Sequence, residues 1–385
     1  MRELHALCLL DLGQYYYELR KYKEARNHYL KALEISALWE GEVGEALNAL
    51  CHTRCNQCEV RQLAGRFNVQ SSNPLEQRFE TIEGLLSKYN DDHPWRGLYR
   101  QAKAHYCLES WKLTEVQNLL APLKKESVIS FEYYQCQMLL ALAAHYSGDL
   151  HRTEITLSEA IVELDELRKK EELLKDEKLQ TLLVNFYSRQ ADFYFFLRAG
   201  SLNESRDSLV KGCDQAELIG LDDKKNKYHY LYRRLKARLE LLDILTSFEI
   251  GEKKGNLLLR DDTYNPLTEK DREVKLYKEV IYVFQKYPND FKALHKVFYE
   301  NYDGINVNSF QRDVRQLLLF LCEYLLNYIN KNEFSEQNFQ SERLHIQTIR
   351  TKLTEPWNKK DGVQSKIYLE ELGESARNVY MLIHK

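Results

Sequence analysis

The sequence predicts an all-α protein made of long helices. Only 15 of its 385 residues are glycine and 6 are proline, which is about half of the usual share of these turn-forming residues. Sandwiches and barrels need a turn every ~8–12 residues, and α/β folds usually carry glycine-rich loops. Long helices joined by short polar connections need few residues of either type.

The composition is typical of a soluble, folded protein. The chain has 55 basic and 58 acidic residues, and 44% of its residues are hydrophobic. This balance argues against disorder and gives no reason to expect nucleic acid as a partner. The longest apolar run, at residues 317–326, is about half as long as a bilayer requires, so we expect no membrane span. Eight cysteines at irregular positions favour a reduced, cytoplasmic location.

The segment from Leu7 to Ala37 is predicted to form two antiparallel helices. Small residues occur where the two helices would cross, and bulky residues occur beside them; the small ones are Gly13, Ala25 and Ala32, and the bulky ones are Tyr16 and Tyr29. A side chain larger than alanine at a crossing point would push the helix axes apart. This segment resembles a tetratricopeptide repeat. The resemblance implies a solenoid in which antiparallel helix pairs form a right-handed superhelix.

Weaker copies of the pattern follow at residues 98–123, 135–164 and 187–218. In the middle copy, the segment Ser147–Asp149 forms the expected turn between the two helices. Helices predicted at about 41–65 and 75–89 supply an irregular second pair. We therefore predict a divergent array of five or six helix pairs over residues 1–249.

The array is predicted to end at a segment rich in helix-breaking residues. Residues 250–267 include Gly251, Gly255 and Pro266, and we interpret them as a linker. Residues 268–385 are predicted to form a C-terminal helical bundle or a cap of the solenoid. Its helices are expected at about 268–287, 290–303, 309–331, 335–354 and 363–383.

The sequence carries no motif for catalysis. It has no phosphate-binding glycine-rich loop, no nucleophile elbow, no paired histidines with an intervening glutamate and no EF-hand loop. We therefore expect a noncatalytic protein without a cofactor.

One short segment contains four potential metal ligands, Cys51, His52, Cys55 and Cys58. Tetrahedral zinc sites usually combine two ligand pairs from distant segments, and the sequence offers no evident second pair. The three cysteines also follow the i, i+4, i+7 spacing of one helical stripe, where small apolar thiols suit tight packing. We favour packing; a metal or redox site is the alternative.

A second segment combines basic and aromatic residues. Its basic members are Lys227, Arg233, Arg234, Lys236 and Arg238. Basic residues mixed with tyrosines can bind phosphates and stack on bases. Leucines at 231, 235, 239 and 242 form an apolar stripe through the same stretch, so we favour the solvated face of an amphipathic helix. An acidic protein partner and nucleic acid are the alternatives.

The resemblance also implies a partner-binding groove. In tetratricopeptide-repeat proteins the first helix of each pair lines the concave surface. The implied positions here are Gln14, Tyr17, Gln101, His105, Gln135, Met138, His145, Tyr146, Tyr187, Gln190, Tyr194 and Arg198. Aromatic and amide side chains suit an extended peptide or a helix laid along the groove, although packing is the alternative role for such residues.

These features predict a scaffold or adaptor that binds a peptide or a partner protein. The alternative is a ligand-sensing regulatory module that restrains an effector in a signalling or immune-type assembly. Repeat material begins close to Met1 without a polar capping helix, although the ends of solenoids normally need one. We therefore also expect a packing partner at the N-terminal end of the array.

Overall fold

The structure is a computed structural model, and it describes most of the first 249 residues and parts of the rest. The described residues are 2–19, 21–39, 41–63, 73–88, 94–110, 112–121, 131–169, 176–197, 201–249, 274, 277–278, 318–319, 321–326, 329–330, 336–355, 367–368, 371–375 and 378–379. All regular secondary structure in these residues is helical, which confirms the predicted all-α class. None of the described helices combines the length and the apolar character that crossing a membrane requires.

The chain divides into two compact units, residues 1–147 and residues 148–385. The helices of the first unit are α1 (Arg2–Glu18), α2 (Tyr22–Ser36), α3 (Glu42–Leu63), α4 (Asn73–Leu86), α5 (Pro94–Glu109), α6 (Leu113–Leu120) and α7 (Phe131–Ser147). The described helices of the second unit are α8 (Leu150–Arg168), α9 (Glu177–Leu197), α10 (Leu202–Leu218), α11 (His229–Glu249) and α12 (Glu336–Thr354).

Helices that are consecutive in the first unit pack against each other, from α1 against α2 through to α6 against α7. Helix α3 also packs against α5, and α5 against α7. Helices α3, α5 and α7 therefore pack in succession, while α4 and α6 lie between them in the chain. This order is compatible with a helical repeat.

The core of the first pair is built from the small residues that the sequence singled out. Gly13, Ala25 and Ala32 are buried, and they lie around the fully buried ring of Tyr29. Cys51, Cys55 and Cys58 of α3 join this core. A second apolar cluster, which includes Phe79, Ile82, Tyr99, Tyr106 and Leu140, lies among α3 to α7.

In the second unit, α9 packs against α8, α10 and α11. Gly212 of α10 marks the closest approach, because a Cβ added there would lie 3.3 Å from Tyr187 Cβ and 3.3 Å from Leu235 Cδ1. The Ser205 hydroxyl donates a 2.8 Å hydrogen bond to the backbone carbonyl of Ala191, which ties α10 to α9.

Helix α8 begins where the sequence placed a turn. Gly148 has a positive φ of 81°, a conformation that favours glycine. Asp149 then caps the helix, since its side chain accepts a 3.1 Å hydrogen bond from the Arg152 backbone N–H.

The division into units falls at this same turn, between Ser147 and Gly148. The predicted linker at 250–267 lies outside the described residues, so the predicted boundary there stays a prediction. Of the predicted C-terminal helices, the one at 335–354 is observed as α12 (Glu336–Thr354). Residues 321–326 and 371–375 are also helical.

Candidate functional site

Near the C-terminal ends of α1, α3 and α5, two side chains form a hydrogen bond and a third lies within electrostatic range of them. The hydroxyl of Tyr17 on α1 accepts a 3.4 Å hydrogen bond from Arg61 Nε on α3. Burial, together with the positive charge of Arg61, lowers the pKa of His105 on α5 well below its usual value. We call Tyr17, Arg61 and His105 the Arg61 cluster.

Groups from three other helices lie within electrostatic range of Arg61. Arg61 is solvent-exposed, yet it interacts electrostatically with Tyr17 and Tyr22, with His105, and with Glu109. These groups belong to α1, α2 and α5. A cation that stays accessible while three other helices approach it can receive a ligand from solvent and hold it against protein on several sides.

Arg61 keeps capacity to bind an anion. Its hydrogen-bond partner, the Tyr17 hydroxyl, is neutral, and within the described part of the chain Arg61 forms no salt bridge within 4.0 Å. The ring of Tyr17 is held edge-on to Tyr22, with centroids 5.3 Å apart. His105 is half-buried, and its Nδ1 atom is buried with no hydrogen-bond partner among the described residues. The low pKa of His105 keeps its ring neutral at pH 7, so Arg61 carries the positive charge of the cluster.

Several other predicted groove residues in the first unit bond within the chain. Gln14 Nε2 donates a 3.1 Å hydrogen bond to Glu18, and Gln14 Oε1 accepts a 3.4 Å hydrogen bond from the Tyr29 hydroxyl. Gln101 on α5 is hydrogen-bonded to Gln135 on α7. Of these bonds, the one between Gln101 and Gln135 joins predicted groove positions on neighbouring odd-numbered helices. These bonds also occupy the amide groups that a peptide would otherwise meet.

The last three predicted positions of the first unit lie on α7. Met138 and His145 are buried, with 9% of each residue exposed. Tyr146 is half-buried, and its ring centroid lies 5.9 Å from that of His145.

The predicted positions in the second unit take part in packing. Tyr187 is buried and donates a 2.7 Å hydrogen bond to Asp165, and Gln190 accepts a 3.1 Å hydrogen bond from Ser208. Burial raises the pKa of Tyr194, which is half-buried. Arg198 lies outside the described residues.

The basic segment of α11 and the turn before it is largely paired. Lys227 lies 3.6 Å from Glu177, and Lys236 lies 3.2 Å from Glu217. The guanidinium of Arg234 lies 5.3 Å from the centroid of the Tyr230 ring. Arg233 is half-buried and also contacts other residues.

Arg238 belongs to the core of the second unit. It is 7% exposed, forms an ion pair with the buried Asp192, and donates a 2.8 Å hydrogen bond to the Ser188 hydroxyl. A small apolar pocket lies beside Arg238. Its lining also includes Phe195, Leu209, Leu241, Leu242 and Tyr277.

The three cysteines of the possible metal site pack in the core of the first unit. Burial raises the pKa of Cys51, Cys55 and Cys58 to about 12, so these thiols are protonated at neutral pH. Burial and the charge of Arg78 lower the pKa of His52. Among the described residues, no group of three or more His, Cys, Asp or Glu side chains could hold a metal ion.

No protein-family model matches the chain, and neither a curated protein nor a solved structure is significantly similar to it.

Sequence reasoning placed Tyr17 and His105 at the candidate site but missed Arg61. The position of Arg61 in the sequence could have indicated the site, because Tyr17, Arg61 and His105 all lie within the last five residues of their helices. In an array of helix pairs, the first helices run parallel and their C-terminal ends come together. Arg61 was missed because α3 belongs to the irregular second pair, which has no clear repeat pattern.

Proposed function

We propose that this protein is a noncatalytic interaction protein of tetratricopeptide-repeat type, whose first helices bind a peptide segment of a partner protein. The order of helix contacts in the first unit supports this proposal. The convergence of Tyr17, Arg61 and His105 from three successive first helices is the observation that carries it.

The chemistry of the Arg61 cluster favours a peptide with an acidic residue. An exposed guanidinium forms strong, charge-assisted hydrogen bonds with a carboxylate. The Tyr17 hydroxyl and the neutral His105 ring add amphipathic contact area beside it. We therefore assign Arg61 the role of anchoring a carboxylate, and Tyr17 and His105 the role of positioning the peptide around it.

Selection from a random-peptide display library tests this proposal. The purified full chain should select peptides that share at least one acidic position and that bind with 1:1 stoichiometry in isothermal titration calorimetry. Replacing that acidic residue by its amide should weaken binding by about tenfold or more, which is about 1.4 kcal/mol. Failure to select any peptide, or selection of peptides that bind equally well as amides, would overturn the proposal.

A further inference from the structure

The outward face of α1 carries an exposed apolar stripe. Ala6, Leu10 and Gly13 point into the core of the first unit, where each is buried. The opposite face is exposed, with members Leu4, His5, Leu7, Cys8, Asp11, Leu12 and Tyr15. Five of these seven side chains are apolar or aromatic, which is unusual for a helix face in contact with water.

The spacing of this stripe has a mirror symmetry along the helix. Leu4 and Tyr15 are equally far from the midpoint between Leu9 and Leu10. The same holds for Leu7 and Leu12, and for Cys8 and Asp11. This spacing allows a second copy of the helix to run antiparallel about a two-fold axis at the midpoint, so that each of these positions faces another position of the stripe.

We propose that this protein forms a symmetric homodimer through antiparallel packing of the exposed face of α1 against the same face of a second copy. In this dimer Leu4 faces the second copy's Tyr15, and Leu7 faces its Leu12. Cys8 lies beside the second copy's Asp11. The proposal does not depend on the proposed function, because the Arg61 cluster uses other residues.

The area available is near what a specific dimer requires. Leu4, Leu7, Leu12 and Tyr15 are 66%, 51%, 40% and 57% exposed. Covering these four side chains in both copies would remove roughly 900 Å² of accessible surface from solvent. Cys8 and flanking residues would add to this area. A specific interface is expected to bury ~1,000 Å². This size predicts a reversible dimer with a dissociation constant in the micromolar range rather than an obligate one.

Asp11 weakens the dimer in this arrangement. Its carboxylate is exposed in one chain and would lose water on association. Replacing it by asparagine should therefore strengthen association.

Sedimentation velocity of the full chain over a concentration series tests the dimer. The wild-type chain should shift from monomer to dimer, Leu7→Glu should raise the dissociation constant at least about tenfold, and Asp11→Asn should lower it. The control Leu38→Glu replaces a leucine that is 68% exposed at the end of α2, outside the stripe, and should change nothing. Because the replaced side chains are exposed, all variants should keep the wild-type circular dichroism spectrum.

Cross-linking through Cys8 tests the geometry. Cys8 is the exposed cysteine of the chain, and the other seven are buried. In the proposed dimer, the Cys8 residues of the two chains are offset by three residues along the helix axes, which is about 4.5 Å. A short bis-maleimide should therefore link the two chains into a covalent dimer. The Cys8→Ser variant should not cross-link. Cys8→Ser/Leu38→Cys, which moves the thiol off the stripe, should also fail to cross-link. A chain that stays monomeric, a dimer that survives Leu7→Glu, or a dimer that Cys8 does not link would each overturn the proposal.

Discussion

The ring of Tyr29 on α2 lies directly against the backbone of Gly13 on α1. A Cβ added to Gly13 would lie 2.5 Å from Tyr29 Cε1 and 2.6 Å from Cδ1. Tyr29 is fully buried, and its hydroxyl donates a hydrogen bond to Gln14. The ring therefore has little room to move away, and the absence of a side chain at position 13 allows α1 and α2 to approach.

We expect Gly13→Ala to destabilise the protein, although alanine favours a helix more than glycine does. The clash with Tyr29 should cost about 1–3 kcal/mol in the free energy of unfolding. Gly84→Ala is the matched control, since no atom lies within 4 Å of a Cβ added there. It should raise stability by about 0.5–1 kcal/mol. Urea denaturation of both variants gives the comparison, and equal effects would contradict the proposed close approach.

Glu59 of α3 should stabilise the first unit in a pH-dependent way. It accepts a 2.6 Å hydrogen bond from Arg26 on α2 and a 2.9 Å hydrogen bond from Arg78 on α4. Burial alone would raise the pKa of Glu59, but the hydrogen bonds and charges of Arg78 and Arg26 lower it. Glu59→Gln should therefore reduce stability at pH 7 by about 1–3 kcal/mol.

The sign of this pH dependence follows from the lowered pKa. The stabilisation by Glu59 is fully present above the unfolded-state pKa of about 4.3. It is lost as the pH falls through the lower folded-state value, so the two proteins should converge in stability in acid. Denaturation curves from pH 3 to 7 measure this convergence. Glu80→Gln, which replaces an exposed glutamate on α4, should show little difference at any pH.

Arg238 should act on stability rather than on ligand binding. Its buried ion pair with Asp192 means that Arg238→Ala leaves the Asp192 carboxylate with Arg189, 3.1 Å away, as its remaining cation. The loss of the buried charge-assisted hydrogen bond should cost about 1–3 kcal/mol. Lys224→Ala removes an exposed charge from the same basic segment and should change stability by less than about 0.5 kcal/mol. Thermal unfolding of the two variants separates these effects. A stable Arg238→Ala protein would contradict the buried pair.

The thiols should differ sharply in reactivity. Cys8 is exposed, while burial raises the pKa of Cys107, Cys136 and Cys213 to about 12, as it does for the cysteines of α3. A thiol reagent at pH 7.5 should therefore modify one cysteine per native chain rapidly and all eight after denaturation. Rapid modification of Cys51, Cys55 or Cys58 in the native chain would revive a metal or redox role for them.

The helical class and the first helix pair were predictable because their signals are local. Scarce glycine and proline, and small residues at helix-crossing spacing such as Gly13 and Ala25, depend on contacts between helices adjacent in sequence. Arg238 shows a signal that was present but overlooked. It follows Leu235 by three residues and precedes Leu242 by four, which places it within the apolar stripe of α11.

Other features depend on contacts that the sequence does not encode locally. The partner of Arg238 is Asp192, 46 residues earlier. The placement of Arg61 beside Tyr17 joins residues 44 positions apart. Without the packing of α1, α3 and α5, no spacing rule brings these side chains together.

The central claim is that the Arg61 cluster binds an acidic peptide. The most direct test is to measure peptide binding by the Arg61→Glu variant. For peptides selected by the wild-type chain, fluorescence anisotropy should show a dissociation constant at least about tenfold higher for Arg61→Glu. Lys31→Glu, which makes the same charge change at an exposed position of α2, should bind as the wild-type chain does. Equal affinities for the wild-type and Arg61→Glu chains, or an equal loss in both variants, would contradict this account.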